Sequence, residues 1–250
     1  MVANMHMLPT KLLILVLALV ICVLVPNSVA QVPSNALLRV FEIKVGDSTG
    51  TAFTIERRGK QFLVTARHVV DGLPARGATV EIFRGGYWMK LKVDILLPKN
   101  PEVDIAVLDI PEPLSVTYEL VPETEGLVFG QEVYFLGFPD GLHTLAGTGR
   151  IPFIKRGTVS AQDATDPTAV VWYVDGFNNP GFSGGPVVFL DRKDNKWKVA
   201  AVVKGYKPEP AKVRLRRQSV DTKILVNSGI LIAYDIRHAL EAIETMLEKK

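Results

Sequence analysis

From Ala36 to Asp235 the chain reads as short apolar runs separated by glycine, proline and charge, with no recurring long helix between them. That spacing argues against parallel βαβ units, whose crossovers need about a dozen residues or more between strands. The runs number roughly eleven or twelve. Ala36 to Val45 comes first, then TAFTIE after the GDSTG turn and QFLVTA after the ERRGK turn. TVEIF, the alternating MKLKVDILL and DIAVLDI follow, with Leu91, Val93 and Ile95 on one face. EVYFLGF, RIPFIKRGTVSAQD, AVVWYVD, PVVFL, WKVAAVV and GILIAYD complete the series. The pattern predicts an all-β layout of barrel or sandwich type. One helix is expected at the end, with Asp235 as N-cap and Ile236, Leu240, Ile243 and Leu247 as its apolar stripe.

The N-terminus differs in kind. Leu12 to Val25 is an uncharged apolar run of 14 residues, preceded by Lys11 and followed by PNSVAQ. It is shorter than the roughly 18–20 residues of a membrane-spanning helix and suits a secretory leader cut after Ala30. Retention of the run as an anchor is the alternative. Cys22, the one cysteine, lies inside it, so residues 31–250 offer neither disulfide nor thiolate chemistry. Their 28 basic and 26 acidic side chains select no polyanionic partner. The basic groups concentrate from Arg192 to Lys223, eleven Lys/Arg against three Asp/Glu. This stretch reads first as a solvated hairpin or loop and second as a contact for an anionic surface or protein. With only Trp197 and Tyr206 interleaved, nucleic acid is disfavoured.

Three segments carry chemistry. VTARHVV places His68 at a strand end, DIAVL places Asp104 at a strand start, and NNPGFSGGPVV places Ser183 in a glycine turn leading into a strand. A serine hydroxyl is a poor nucleophile until a histidine takes its proton and a carboxylate fixes the imidazole's tautomer. The glycines fit an oxyanion hole, which needs converging backbone N–H groups and little side-chain bulk. Gly181 and Ser183 could supply those amides, with Phe182 between them pointing elsewhere. GFSGG also fits the G-x-S-x-G elbow of α/β-hydrolases. That elbow leads into a helix and has its acid and histidine after the serine, whereas here a strand follows and only His238 remains. His143, in a glycine-rich loop, and His238, on the terminal helix, read as exposed or structural. No metal or cofactor pattern is present in the sequence, so none is expected.

TARHVV, DIAVL and NPGFSGGPVV together resemble the catalytic segments of the trypsin-like (chymotrypsin-fold) serine proteases, most of all the cysteine-free bacterial HtrA/Deg type. The order His, Asp, Ser and the separations of 36 and 79 residues match that family as well. The resemblance runs from about Val40 to Leu247 and includes GTAFTIE, RGTVSA and GILIAYDIRHALEAI. It implies two six-stranded antiparallel β-barrels with a C-terminal helix and a site in the cleft between barrels. The first barrel would span about 36–120, the second about 130–235 and the helix about 236–248. It further implies His68, Asp104 and Ser183 as the catalytic triad and Gly181 and Ser183 as oxyanion donors. Phe177, six residues before the serine, would floor the pocket for the substrate residue before the scissile bond, with Gly205 and Tyr206 beside it. An uncharged floor predicts cleavage after small or medium apolar residues of unfolded or exposed polypeptide. Arg67 before the histidine, Phe182 before the serine and the AAVVKGYKP segment depart from the family's usual residues. The stretch after the closing helix leaves no space for a peptide-binding PDZ domain. Two functions follow: a secreted or periplasmic serine endopeptidase, or a catalytically silent protease-fold binding module. Association of identical copies is compatible with either.

Overall fold

The computed structural model describes residues 32–115, 120–147, 149–215 and 218–248. The leader expected in residues 1–30 lies outside them. A helical turn α1 (Ser34–Leu37) precedes β1 (Val40–Val45), so the first strand starts later than its apolar run. β2 (Ser48–Arg57), β3 (Lys60–Thr65), β4 (Ala78–Arg84), β5 (Tyr87–Leu96) and β6 (Ala106–Asp109) follow, and these six strands close into a barrel of order β1-β2-β3-β6-β5-β4. Two of its hairpins turn on residue pairs of positive φ, Arg58-Gly59 (47° and 75°) and Gly85-Gly86 (63° and 91°). That is the two-residue geometry that suits the right-handed twist of paired strands.

The second half corrects the two-barrel expectation. β7 (Val121–Pro122), β8 (Glu132–Gly137), β11 (Phe153–Asp163), β12 (Val171–Asp175), β13 (Pro186–Asp191), β14 (Lys196–Leu215) and β15 (Gln218–Asp235) form a seven-stranded mixed sheet, not a six-stranded antiparallel barrel. Its order is β13-β8-β11-β12-β15-β14-β7, with a further β13–β14 pairing. β7 is the reason the sheet is mixed, since it pairs parallel to β14 through Lys198↔Val121 and Val199↔Pro122. β9 (Thr144–Ala146) and β10 (Gly149–Ile151) make a separate two-stranded sheet. The outer parts of β14 and β15 run past the sheet as a hairpin, pairing Pro208 with Asn227 and Pro210 with Leu225. Proline is tolerated at such an edge because its missing N–H costs no ladder bond.

Three apolar clusters hold this together. Leu63, Val80, Ile82 and Leu108 fill the barrel, while Val133, Phe135, Val174, Phe182 and Leu231 fill the second half. Between them lie Phe62, Val64, Val107, Val188, Val199 and Val202, capped by Ile236, Ala239 and Ile243 of the closing helix α2 (Arg237–Leu247). Successive residues of β3 and β6 therefore enter different cores, which is why DIAVLDI shows no clean polar face. Ile236, rather than Asp235, is the N-cap of α2, although the Asp235 carboxylate still accepts the Arg237 N–H at 2.9 Å and Trp172 Nε1–H at 3.0 Å. His238 is buried, and its Nε2 accepts the Val170 N–H at 2.9 Å. His143 turns Nδ1 to the Gly141 carbonyl. Of the basic 192–223 segment, Lys198 is unavailable to a partner: it is 5% exposed and bonded to the buried Asp191 at 2.8 Å. The Arg214 side chain and its neighbours at 213–222 lie outside the described side chains.

Candidate active site

His68 sits in a single 3₁₀ turn, Arg67–Val69, immediately after β3. Asp104 lies two residues before β6, in the connection that brings the chain back beside β3. The two meet through both polar ends of His68. Asp104 Oδ1 accepts the His68 backbone N–H at 2.9 Å, and Asp104 Oδ2 lies 2.6 Å from His68 Nδ1. A carboxylate gripping Nδ1 fixes that nitrogen as the protonated one and leaves Nε2 able to accept. The Asp104 side chain is 12% exposed and the imidazole 49%. Burial pushes the Asp104 carboxyl up, but hydrogen bonds from His68 and the charges of His68 and Lys204 outweigh it, so it rests below its ordinary 3.8.

Ser183 reaches the same region through tight backbone contacts. Its carbonyl accepts the Thr51 N–H of β2 at 2.9 Å. The next residue, Gly184 (φ +83°), lies so close to β3 that a Cβ there would stand 2.6 Å from the Ala66 nitrogen and 2.2 Å from the Thr51 carbonyl oxygen. Glycine is required at that position on two counts, φ and space. The hydroxyl does not bond to His68. Ser183 Oγ donates to the Lys204 carbonyl at 3.1 Å. Lys204 occupies a β-bulge in β14, between the registered residues Val203 and Gly205, which frees its carbonyl from the ladder.

The loop before Ser183 has a consistent polarity. Every carbonyl from Phe177 to Ser183 has a donor. Lys155 Nζ takes that of Phe177 at 2.8 Å, and Asn227 Nδ2 takes that of Asn178. Phe182 N–H takes that of Asn179 at 3.4 Å, and Asp140 N–H that of Pro180 at 2.9 Å. Thr51 Oγ1 takes that of Gly181 at 2.7 Å, Gly185 N–H that of Phe182 at 2.8 Å, and Thr51 N–H that of Ser183. By contrast, the N–H groups of Phe177, Asn178, Asn179, Gly181 (φ +97°) and Ser183 have no acceptor among the described residues, and those of Gly181 and Ser183 flank Phe182. Phe182, between them, is fully buried, edge-on to Phe135 with ring centroids 5.3 Å apart.

The remaining expected residues fall around this loop. Phe177 is 57% exposed. Asn178 beneath it is 1% exposed, with Oδ1 lacking a partner among the described residues. Gly205 and Tyr206 follow the Lys204 bulge on β14, partly buried. Sequence reasoning did not single out Thr51, Lys155 or Lys204. Thr51 lies in the quoted GTAFTIE segment, where the resemblance offered a signal, whereas Lys155 and Lys204 are ordinary lysines in strand sequence.

The trypsin-like peptidase domain family matches residues 50–202, more than half of the chain. The chain belongs to the trypsin-like peptidase family. That membership identifies it as a serine endopeptidase of trypsin-like kind and polypeptides as its general class of substrate. Among solved structures, Rv3671c from M. tuberculosis H37Rv, in the inactive form of a serine-to-alanine mutant, is 19% identical, with a TM-score of 0.54 over 85% of this chain and 87% of that one. The HtrA-type protease AlgW with a tripeptide is 22% identical, with a TM-score of 0.56 over 86% of this chain and 62% of its own. Its serine-to-alanine form with a tripeptide gives 21% and the same TM-score of 0.56. At these identities the likeness is one of fold. This trypsin-like peptidase thus spans 62% of the AlgW chain's length.

Proposed function

We propose that this trypsin-like peptidase cleaves exposed or unfolded polypeptide through an acyl-enzyme on Ser183. Ser183 Oγ bonds to the peptide carbonyl carbon as His68 Nε2 takes its proton, and the resulting oxyanion lies on the Gly181 and Ser183 amides. His68 then protonates the leaving amine as the C–N bond breaks. Water, activated by the same imidazole, hydrolyses the ester and returns the proton to Ser183. Asp104 holds the imidazole's tautomer and favours the imidazolium. In this mechanism Ser183 Oγ leaves the Lys204 carbonyl to donate to His68 Nε2. What carries the reading is the loop's polarity: its carbonyls are all engaged, while the two amides flanking Phe182 are left to accept a developing charge.

Small or medium apolar residues are proposed before the scissile bond. Phe177 offers no carboxylate, and Lys155 Nζ lies 5.5 Å from its ring centroid, which opposes a Lys or Arg head. An apolar side chain gains roughly 1.5–3 kcal/mol on full burial, so the preference should be broad. Export by the leader of residues 1–30, and contact of the exposed cations of 192–223 with an anionic surface, belong to the same proposal. Among the described residues no helix is long and apolar enough to cross a membrane.

The full chain should label with a fluorophosphonate probe and degrade denatured casein, and Ser183→Ala should do neither. Cleavage-site profiling of a denatured proteome should give Val, Ala or Leu before the cut. Dominant cleavage after Lys or Arg would overturn the pocket reading alone. A folded protein that neither labels nor cleaves would instead be the silent binding module.

A further inference from the structure

The Lys155 side chain has no carboxylate partner among the described residues, yet it is held from several directions. It projects from β11, opposite Phe135 of β8, into the space behind the loop that carries Ser183. Its ammonium donates to the Phe177 carbonyl at 2.8 Å and to Asn179 Oδ1. It also stands 5.5 Å from the Phe177 ring centroid and 5.4 Å from that of Phe182, the residue between the Gly181 and Ser183 amides. A cation against aromatic faces is attracted by the ring quadrupole, more strongly when desolvated. One ammonium therefore ties the start of the loop, its middle and the buried anchor next to the nucleophile.

We propose that Lys155 is the positioning residue of the oxyanion loop, a built-in cation that keeps the Gly181 and Ser183 amides presented to substrate. The proposal rests on the reading of Ser183 as nucleophile. The rest of the loop is pinned by neutral donors, namely Asn227, Asp140 N–H and Thr51. Among the described residues Lys155 is the one charged donor to the loop, and its contacts are made at the end furthest from Thr51. Without it, the Phe177 carbonyl and Asn179 Oδ1 lose their donor, and the peptide between Pro180 and Gly181 has less to resist rotation. Misplacing a reacting group by about 1 Å costs roughly a hundredfold in rate.

The charge makes the role testable by pH. Asp140, on the 3₁₀ turn after β8, is the acidic group that faces Lys155 and favours its charged form. β8 presents Phe135, and the loop presents only neutral groups. Desolvation dominates over Asp140 and holds the ammonium below the usual lysine range. Loss of the proton at alkaline pH should release the loop, so kcat should fall on the alkaline side.

The test compares the full-length protein with Lys155→Met and Lys155→Arg, using a chromogenic peptide and the fluorophosphonate probe across pH 6 to roughly 11. Lys155→Met is expected to lower kcat by about a hundredfold, with KM little changed and far-UV circular dichroism retained. Lys155→Arg, whose guanidinium does not titrate in this range, should keep most of kcat and lose the alkaline limb. If Lys155→Met fails to fold, the arginine variant alone decides through that limb. An unchanged alkaline limb in Lys155→Arg, or unchanged kcat in Lys155→Met, would overturn the proposal. A wild-type protein that does not label would instead overturn the nucleophile reading, so the two failures are distinct.

Discussion

Asp104→Asn is expected to lower kcat by about ten-thousandfold while the protein stays folded. Both Asp104 oxygens accept hydrogen from the same residue, His68 N–H at 2.9 Å and His68 Nδ1 at 2.6 Å. An asparagine keeps the shape but presents one NH₂, which faces Nδ1 or the backbone amide as a second donor. Either the imidazole takes the other tautomer, leaving Nε2 protonated and unable to accept from Ser183, or the backbone bond is lost. Steady-state kinetics with a peptide ester would measure the drop, and a loss below about tenfold would remove Asp104 from the mechanism. The same substitution has a stability signature. Because the folded Asp104 carboxyl lies below its ordinary 3.8, its ionisation stabilises the fold above that value, and the contribution is lost as pH falls through the folded pKa. Asp104→Asn should therefore unfold less steeply with acid below about pH 4, as followed by fluorescence.

Phe182→Ala should be the most destabilising single change near the site, by about 3–5 kcal/mol. The ring is fully buried, meets Phe135 at an interplanar angle of 68°, and lies against Gly137, where an added Cβ would stand 2.6 Å from its Cδ1. Truncation leaves a cavity beneath the loop whose backbone is fixed on both sides by Thr51, so collapse is limited. For a domain of this size the loss should lower Tm by roughly 10 °C. Activity should fall further than stability alone explains, because the Gly181 and Ser183 amides flank the lost anchor. A Tm within 2 °C of wild type, on the scale of less than about 1 kcal/mol, would show that the loop refills the space.

These two residues mark how far reading the chain could go. Asp104 could be singled out as a candidate because the chemistry needs a set of side-chain types in order, and His68, Asp104 and Ser183 occur in that order within recognisable strand-end segments. Phe182 was legible only as a departure, since nothing local shows that its ring enters the second core. The strands of the first half were readable from turns such as Arg58-Gly59, whose conformation is encoded in adjacent residues. The strand runs of the second half were readable too, but their lengths and pairing were not. Pro208 and Pro210 carry no local strand signal, yet β14 runs through them for 20 residues because it lies at an edge there. The parallel docking of the two-residue β7 has no local signal at all, and the two six-stranded barrels that the resemblance implied give way to one barrel and a mixed seven-stranded sheet.

By itself the sequence determined the all-β class, the closing helix and the three chemical segments, because period-2 patterning, turn residues and nucleophile-loop glycines act over a few neighbouring positions. Tertiary structure alone decided which groups hold the serine loop: the donors Thr51, from 132 positions before Ser183, and Lys155, from 28 before it, and as acceptor the Lys204 carbonyl freed by a bulge. It also decided that Ser183 Oγ lies on that carbonyl and not on His68. Hydrogen bonds between distant strands depend on register and twist, and a lysine or threonine in a strand carries the same local signal whether it meets water or a carbonyl.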